Sequence, residues 1–92
     1  MQQQTAEPAE LEAVADACLG YLAGSPEELA RFMQISGYSP EGLRSAVGSR
    51  AFALGLIDYF AANEPALVAM CANSGISVER FMRLWVRLNP TG

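Results

Sequence analysis

LEAVADACLGYLAGSPEELARFMQISGYSPEGLRSAVG, residues 11–48, and SRAFALGLIDYFAANEPALVAMCANSGISVERFMRLWV, residues 49–86, align without a gap at an offset of 38. Ala13/Ala51, Ala15/Ala53, Tyr21/Tyr59, Ala23/Ala61, Leu29/Leu67, Ser36/Ser74, Gly37/Gly75, Ser39/Ser77 and Glu41/Glu79 are identical pairs. Leu19/Ile57, Leu22/Phe60, Phe32/Met70 and Leu43/Phe81 agree in character. A repeat of this length is one supersecondary unit that cannot bury its apolar face alone. Two copies can bury their faces on each other.

Within each copy the apolar residues recur at three- and four-residue steps, the period of a helix with one buried stripe. Residues 1–7 are polar and read as a disordered tail; residues 8–89 read as a single helical domain. Pro8 suits a first helical turn, with Glu7, Glu10 and Glu12 placed for the helix dipole. Leu11, Val14, Ala15, Cys18, Leu19 and Leu22 form the first stripe, and Gly24 ends it. Ser25-Pro26-Glu27-Glu28 predicts a capped start, with Pro26 at the first position and Glu28 closing a capping box. Leu29, Phe32 and Met33 then face inward. Gly37 is the stop, in the left-handed conformation that glycine adopts at little cost. Ser39-Pro40-Glu41 opens a short third helix carrying Leu43 and Val47, and Gly48 closes the copy.

The second copy repeats these signals. Ser49 caps a helix with Phe52, Leu54, Leu56, Ile57, Tyr59 and Phe60, an apolar arc wide enough to be buried on more than one side. This helix is expected at the centre, with Gly55 allowing close packing. Leu67, Val68, Met70 and Cys71 face inward in the next, Gly75 repeats Gly37, and Ser77 caps the last helix. There Val78, Phe81, Met82, Trp85 and Val86 or Leu88 are expected inside. No segment alternates like a strand. The expectation is an all-α, compact bundle of five or six short helices, two tandem helical repeats about a pseudo-two-fold axis. Phe52 and Phe81 are expected in its core.

Composition excludes more than it assigns. The chain has 92 residues, half of them apolar, and a net charge of −4. That charge argues against bulk binding to nucleic acid or an anionic membrane. It is uneven: seven acids face Arg31 and Arg44 up to Ala46, whereas three acids face Arg50, Arg80, Arg83 and Arg87 beyond it. There is no His, and Cys18 and Cys71 alone make no zinc pattern. Each Cys sits in an apolar helical run and reads as a small reduced hydrophobe. Without His, the commonest general base is missing, and there is no glycine-rich phosphate loop. Glu27 and Glu28 lie where acids stabilise a helix start. No enzymatic activity, metal or cofactor is therefore expected. The N-terminus lacks the basic and apolar regions of a signal peptide, and the apolar run 51–62 is too short to span a bilayer, so a cytoplasmic place with no membrane role is expected.

Two constellations remain. Tyr21 and Tyr59 occupy equivalent repeat positions; they read as core-edge residues with wet hydroxyls in preference to a pair flanking a groove. The segment 70–81 has the form of a helix-turn-helix, with Arg80, Arg83 and Arg87 lining the outer face of its second helix as a recognition helix would present them. The first copy carries the same turn, Ser36-Gly37-Tyr38-Ser39, so the turn is better read as the joint of the repeat. The same helix places Leu84 outside the main stripe. An exposed Leu84 beside Trp85 and the arginines would suit a protein partner, because Arg and Trp are favoured at hot spots.

Leu19-Gly20-Tyr21-Leu22-Ala23, Phe32, Ser36-Gly37 and Leu43-Arg44, with Phe52, Ile57-Asp58-Tyr59-Phe60, Glu64, Leu67 and Gly75, resemble an uncharacterised family of small alphaproteobacterial proteins, domain of unknown function 3572. The resemblance covers residues 11–80 and rests on apolar spacings and turn glycines. It implies a bacterial helical domain and brings no catalytic residue, cofactor or substrate. The expected function is a non-enzymatic interaction domain that binds a protein partner or itself, with Arg80, Arg83, Leu84, Trp85 and Arg87 as the candidate surface. The alternative is a DNA-binding regulator using the last helix, and the third reading a small-ligand binder.

Overall fold

The stops and caps of the sequence become six helices in the computed structural model: α1 Gln2–Ala23, α2 Pro26–Ser36, α3 Pro40–Ala46, α4 Arg50–Ala61, α5 Glu64–Ser74 and α6 Val78–Leu88. The structure describes residues 2–90, with side chains from Pro8 onward. Met1, Thr91, Gly92 and the side chains of residues 2–7 lie outside the described residues; the backbone of residues 2–7, expected as a disordered tail, is helical. The ends of α1 and α4, both ends of α2 and α5, and the starts of α3 and α6 are each separated by 38 residues.

Local chemistry explains the joints. Gly37 and Gly75 end α2 and α5 at φ 85° and 78°, in the left-handed region where a Cβ is costly. Just before each, a serine hydroxyl donates to the carbonyl four residues back: Ser36 to Phe32 at 2.7 Å and Ser74 to Met70 at 2.8 Å. Ser39, Ser49 and Ser77 cap the helices that follow, accepting from the amides of Gly42, Phe52 and Arg80 at 3.0, 3.1 and 3.0 Å.

Two expected starts differ. Pro8 lies inside α1, not in its first turn, and no acid occupies that turn; the Gln and Ala residues upstream are good helix formers and the helix runs back through them. Ser25 makes no side-chain cap bond, and the capping box does not form. Its carboxylate is engaged elsewhere: Glu28 accepts a short hydrogen bond from the Tyr59 hydroxyl and pairs with Arg31 at 3.4 Å.

The helices close around one core. The buried side chains include Val14, Cys18 and Leu22 of α1, Phe32 of α2, Phe52, Leu56, Ile57 and Phe60 of α4, Met70 of α5, and Phe81 and Leu84 of α6. α1 and α4 form the most extensive helix pair, and both also touch α5 and α6, so α4 shares the centre with α1. α3 buries no residue fully; Leu43 and Ala46 only flank the core. The radius of gyration, 12.8 Å, is close to the ~12 Å expected for a chain of this length.

The wide apolar arc of α4 is buried as expected, but Gly55 is not packed. A Cβ placed there meets nothing within 4 Å. Gly55 is exposed. Val68 and Val78 were expected inside and are exposed, and of the alternatives Val86 or Leu88 it is Leu88 that packs against the core. Val68 follows Leu67 and Val86 follows Trp85, each beside a position that packs.

Candidate interaction surfaces

The arginine face of α6 is the first candidate, and the structure divides it. Arg80 is bound edge-on by the carboxylate of Glu10 on α1, through Nε at 2.7 Å and a second guanidinium nitrogen at 2.9 Å. This bidentate bond holds the Glu10 carboxyl below its ordinary pKa and raises that of Arg80; Arg87 and Arg83 add a weaker pull on Glu10. Arg80 is therefore a strut between α1 and α6. Arg83 and Arg87 remain exposed.

Leu84 corrects the sequence reading. It is 0% exposed, whereas Val86 is 56% exposed. The inward stripe of α6 is Phe81, Leu84, Trp85 and Leu88, spaced i, i+3, i+4 and i+7. Seven apolar residues in eleven leave several phases open, and the repeat alignment held the missing signal: Leu84 matches Ala46, which flanks the core. Trp85 is half-buried, and its indole donates to Asp58 of α4 at 3.1 Å. The outer face of α6 thus presents Arg83, Val86 and Arg87, with neither Leu84 nor the indole nitrogen free to meet a partner.

The equivalent tyrosines also differ. Tyr59 is buried, and its hydroxyl donates to Glu28. Burial first, then the bond to Glu28, pushes its pKa up to about 12. Tyr59 packs edge-on to Phe32 at 5.2 Å and to Phe60 at 5.3 Å. Tyr21 is only half-buried against Phe60. Cys18 and Cys71 are free and buried. Burial, with Cys71 nearby, pushes the Cys18 thiol up to about 12, and burial raises that of Cys71. Neither is an activated nucleophile. Among the described residues no group of three His, Cys, Asp or Glu could hold a metal ion. None of the described helices is long and apolar enough to cross a membrane.

Sequence reasoning did not find two grooves. One, of about 350 Å³, runs between α1 and α4, with an apolar floor including Leu11, Leu19, Phe52 and Leu56. Glu12 and Asp16 stand on its α1 wall and Arg50 on its α4 wall. The other, of about 380 Å³, lies between α2 and α4 on the opposite side of α4, over Phe32, Tyr38 and Tyr59. Gly55 and Asp58 form one of its edges and Ile35, 65% exposed, the other. Grooves arise from the pairing of helices distant in sequence, which periodicity within one helix does not report. Ile35 alone left a trace: it is apolar yet lies off the Leu29–Phe32–Met33 stripe.

This all-α bundle, with no group of three metal-ligating residues among those described, is a small helical domain. The chain belongs to the family described as "Protein of unknown function (DUF3572)", whose model matches residues 8–91. No curated protein and no solved structure matches it.

Proposed function

We propose that the chain is a non-enzymatic interaction domain whose α1–α4 groove holds an amphipathic helix of a protein partner. One observation carries the reading: an apolar trough of about 350 Å³ with two carboxylates, Glu12 and Asp16, on its α1 wall. Helix-in-groove recognition lays an apolar stripe into such a trough. The carboxylates on the α1 wall select basic residues on the incoming helix. The partner that fits has basic residues flanking its apolar stripe toward α1. The cytoplasmic place expected from the sequence belongs to this same proposal.

The test compares wild type with a Glu12→Lys/Asp16→Lys variant. Capture from a lysate of the source organism names candidates, and each is then purified and titrated against both proteins by calorimetry. The reading requires a partner whose affinity falls at least about tenfold, or 1.4 kcal/mol, on charge reversal. Partners indifferent to the reversal would sink it.

Duplex binding by α6 is less well supported. Glu10 already neutralises Arg80, which leaves Arg83 and Arg87 on an acidic domain. Binding weaker than the roughly 10⁻⁴–10⁻⁶ M of non-specific DNA binders is expected. Fluorescence anisotropy with a labelled random duplex at about 0.15 M salt measures it. Micromolar binding that disappears in a triple Arg→Ala variant at positions 80, 83 and 87 would restore the DNA reading.

A further inference from the structure

Two charged pairs face solvent with no partner among the described residues. On α1, Glu12 and Asp16 are exposed on the wall of the α1–α4 groove. On α6, Arg83 and Arg87 are exposed beside Val86, itself 56% exposed. No ion pair or hydrogen bond of the described residues engages any of these four charges. Arg80, by contrast, is bound to Glu10, which feels Arg83 and Arg87 only as a weaker pull through space.

The two pairs agree in charge, spacing and apolar content. Each is spaced i, i+4, which puts two like charges roughly 5–6 Å apart at their Cβ atoms on one side of a helix. Val86 lies three residues after Arg83 and so shares its face, while the groove has an apolar floor. Arginine stems extend such an apolar surface as their guanidinium groups pair with carboxylates. A slip of one turn would set Glu79, exposed one turn before Arg83, against a carboxylate, so the register is fixed. The two faces cannot meet within one copy. α6 is tied to α1 through Glu10 and to α4 through Asp58. Glu10 stands nine residues before Leu19 of the groove, and Asp58 nine residues after Ser49 of the groove. At 3.6 residues per turn that is about two and a half turns, so α6 is held on the sides of α1 and α4 turned away from the groove.

We propose that the outer face of α6 of one copy docks in the α1–α4 groove of the next, with Arg83 and Arg87 against Glu12 and Asp16 and Val86 over the apolar floor. The proposal rests on the groove reading above and names a second copy of the chain as the helix donor. The contact joins unlike surfaces, so every added copy leaves one face of each kind open and assembly runs head to tail beyond the dimer. One helix face in one groove is a small contact, and the association is weak, with a dissociation constant on the order of 100 μM.

Sedimentation velocity across concentrations that bracket that value tests it by charge exchange. Wild type is compared with Arg83→Glu/Arg87→Glu, with Glu12→Lys/Asp16→Lys, and with an equimolar mixture of the two variants. All four positions are exposed, and circular dichroism checks that both variants are folded. The wild type should grow in average mass with concentration. Each variant alone should associate at least about tenfold more weakly, because both of its faces then carry the same sign. The mixture should recover association, since every contact between unlike variants again joins opposite charges. A wild type monomeric at millimolar concentration, a variant that assembles like wild type, or a mixture that stays monomeric overturns the proposal. A monomeric wild type leaves the groove open to another protein, which the partner titration above decides separately. Self-association that persists in the groove variant, together with partners indifferent to the same reversal, would refute both readings.

Discussion

Replacing Leu84 by Ala should distinguish the two possible phases of α6 by a wide margin. The side chain is fully buried on a helix that touches α1, α4 and α5. Truncation removes three carbons, a transfer loss of about 2.4 kcal/mol at ~0.8 kcal/mol per methylene. Three surrounding helices cannot all close in, so a residual cavity adds to it; measured Leu→Ala losses in such sites run about 2.7–5 kcal/mol. A loss of about 3–4 kcal/mol is expected here. At roughly 0.05–0.15 kcal/mol per residue, a 92-residue domain has about 5–14 kcal/mol in total. The unfolding entropy, ~2.1 cal/mol/K per residue, makes 3 kcal/mol equivalent to about 15 °C in Tm. Val86→Ala is the matched control: its side chain is 56% exposed, and alanine is the better helix former, so stability should change by no more than ~0.5 kcal/mol. Urea denaturation followed by circular dichroism at fixed m-value measures both. A Leu84→Ala loss under 1 kcal/mol, or a Val86→Ala loss of equal size, would show that α6 packs on another face.

Glycine substitutions should split in sign. Gly37→Ala and Gly75→Ala each force a Cβ into positive φ and should lose about 1 kcal/mol or more, whereas Gly55→Ala, in open helical space, should gain close to 1 kcal/mol; thermal melts of the three variants check this. The Glu10 carboxyl is held below its unfolded pKa by Arg80, so its stabilisation is present above the unfolded value and is lost as pH falls through the folded one. The pair is partly exposed, so no more than about 1 kcal/mol is at stake. Glu10→Gln should lower stability at neutral pH and flatten the acid limb of the stability–pH curve; an unchanged limb would show that the strut contributes nothing. Cys18 and Cys71, buried with raised thiol pKa values, should react with an aromatic disulfide reagent at pH 8 only as fast as the domain opens. Rapid labelling of the native protein would contradict their burial.

The joints of the fold were legible because each is decided within a few residues. Gly37 and Gly75 need only one left-handed residue after an apolar run, and Ser39, Ser49 and Ser77 need only an amide three residues on. Where a distant group competes, local reading fails. Ser25-Pro26-Glu27-Glu28 has every mark of a capping box, yet Glu28 is taken by Tyr59, 31 residues away. Arg80 has the spacing of an exposed arginine stripe, yet Glu10 claims it from 70 residues away. Helix phase failed for a different reason. With apolar residues at 78, 81, 82, 84, 85, 86 and 88, α6 offers several stripes of similar hydrophobicity, and its neighbours choose among them.

The repeat itself shows where to look for what the fold does not explain. Ala17 and Gly55 occupy equivalent positions at the offset of 38. Ala17 packs against the core, whereas Gly55 faces an open groove. The same shift pairs α5 with α2, yet α5 lies along α1 while α2 meets α4 mainly through the side chains of Glu28 and Phe32. Several helix ends and the turns at Gly37 and Gly75 recur at the same offset. The opening between α2 and α4 belongs to one half alone, and it coincides with a helical glycine that no contact requires and with the exposed Ile35. Folding stability gives no reason to keep either residue, since alanine at 55 would strengthen α4 and a polar residue at 35 would lose no core packing.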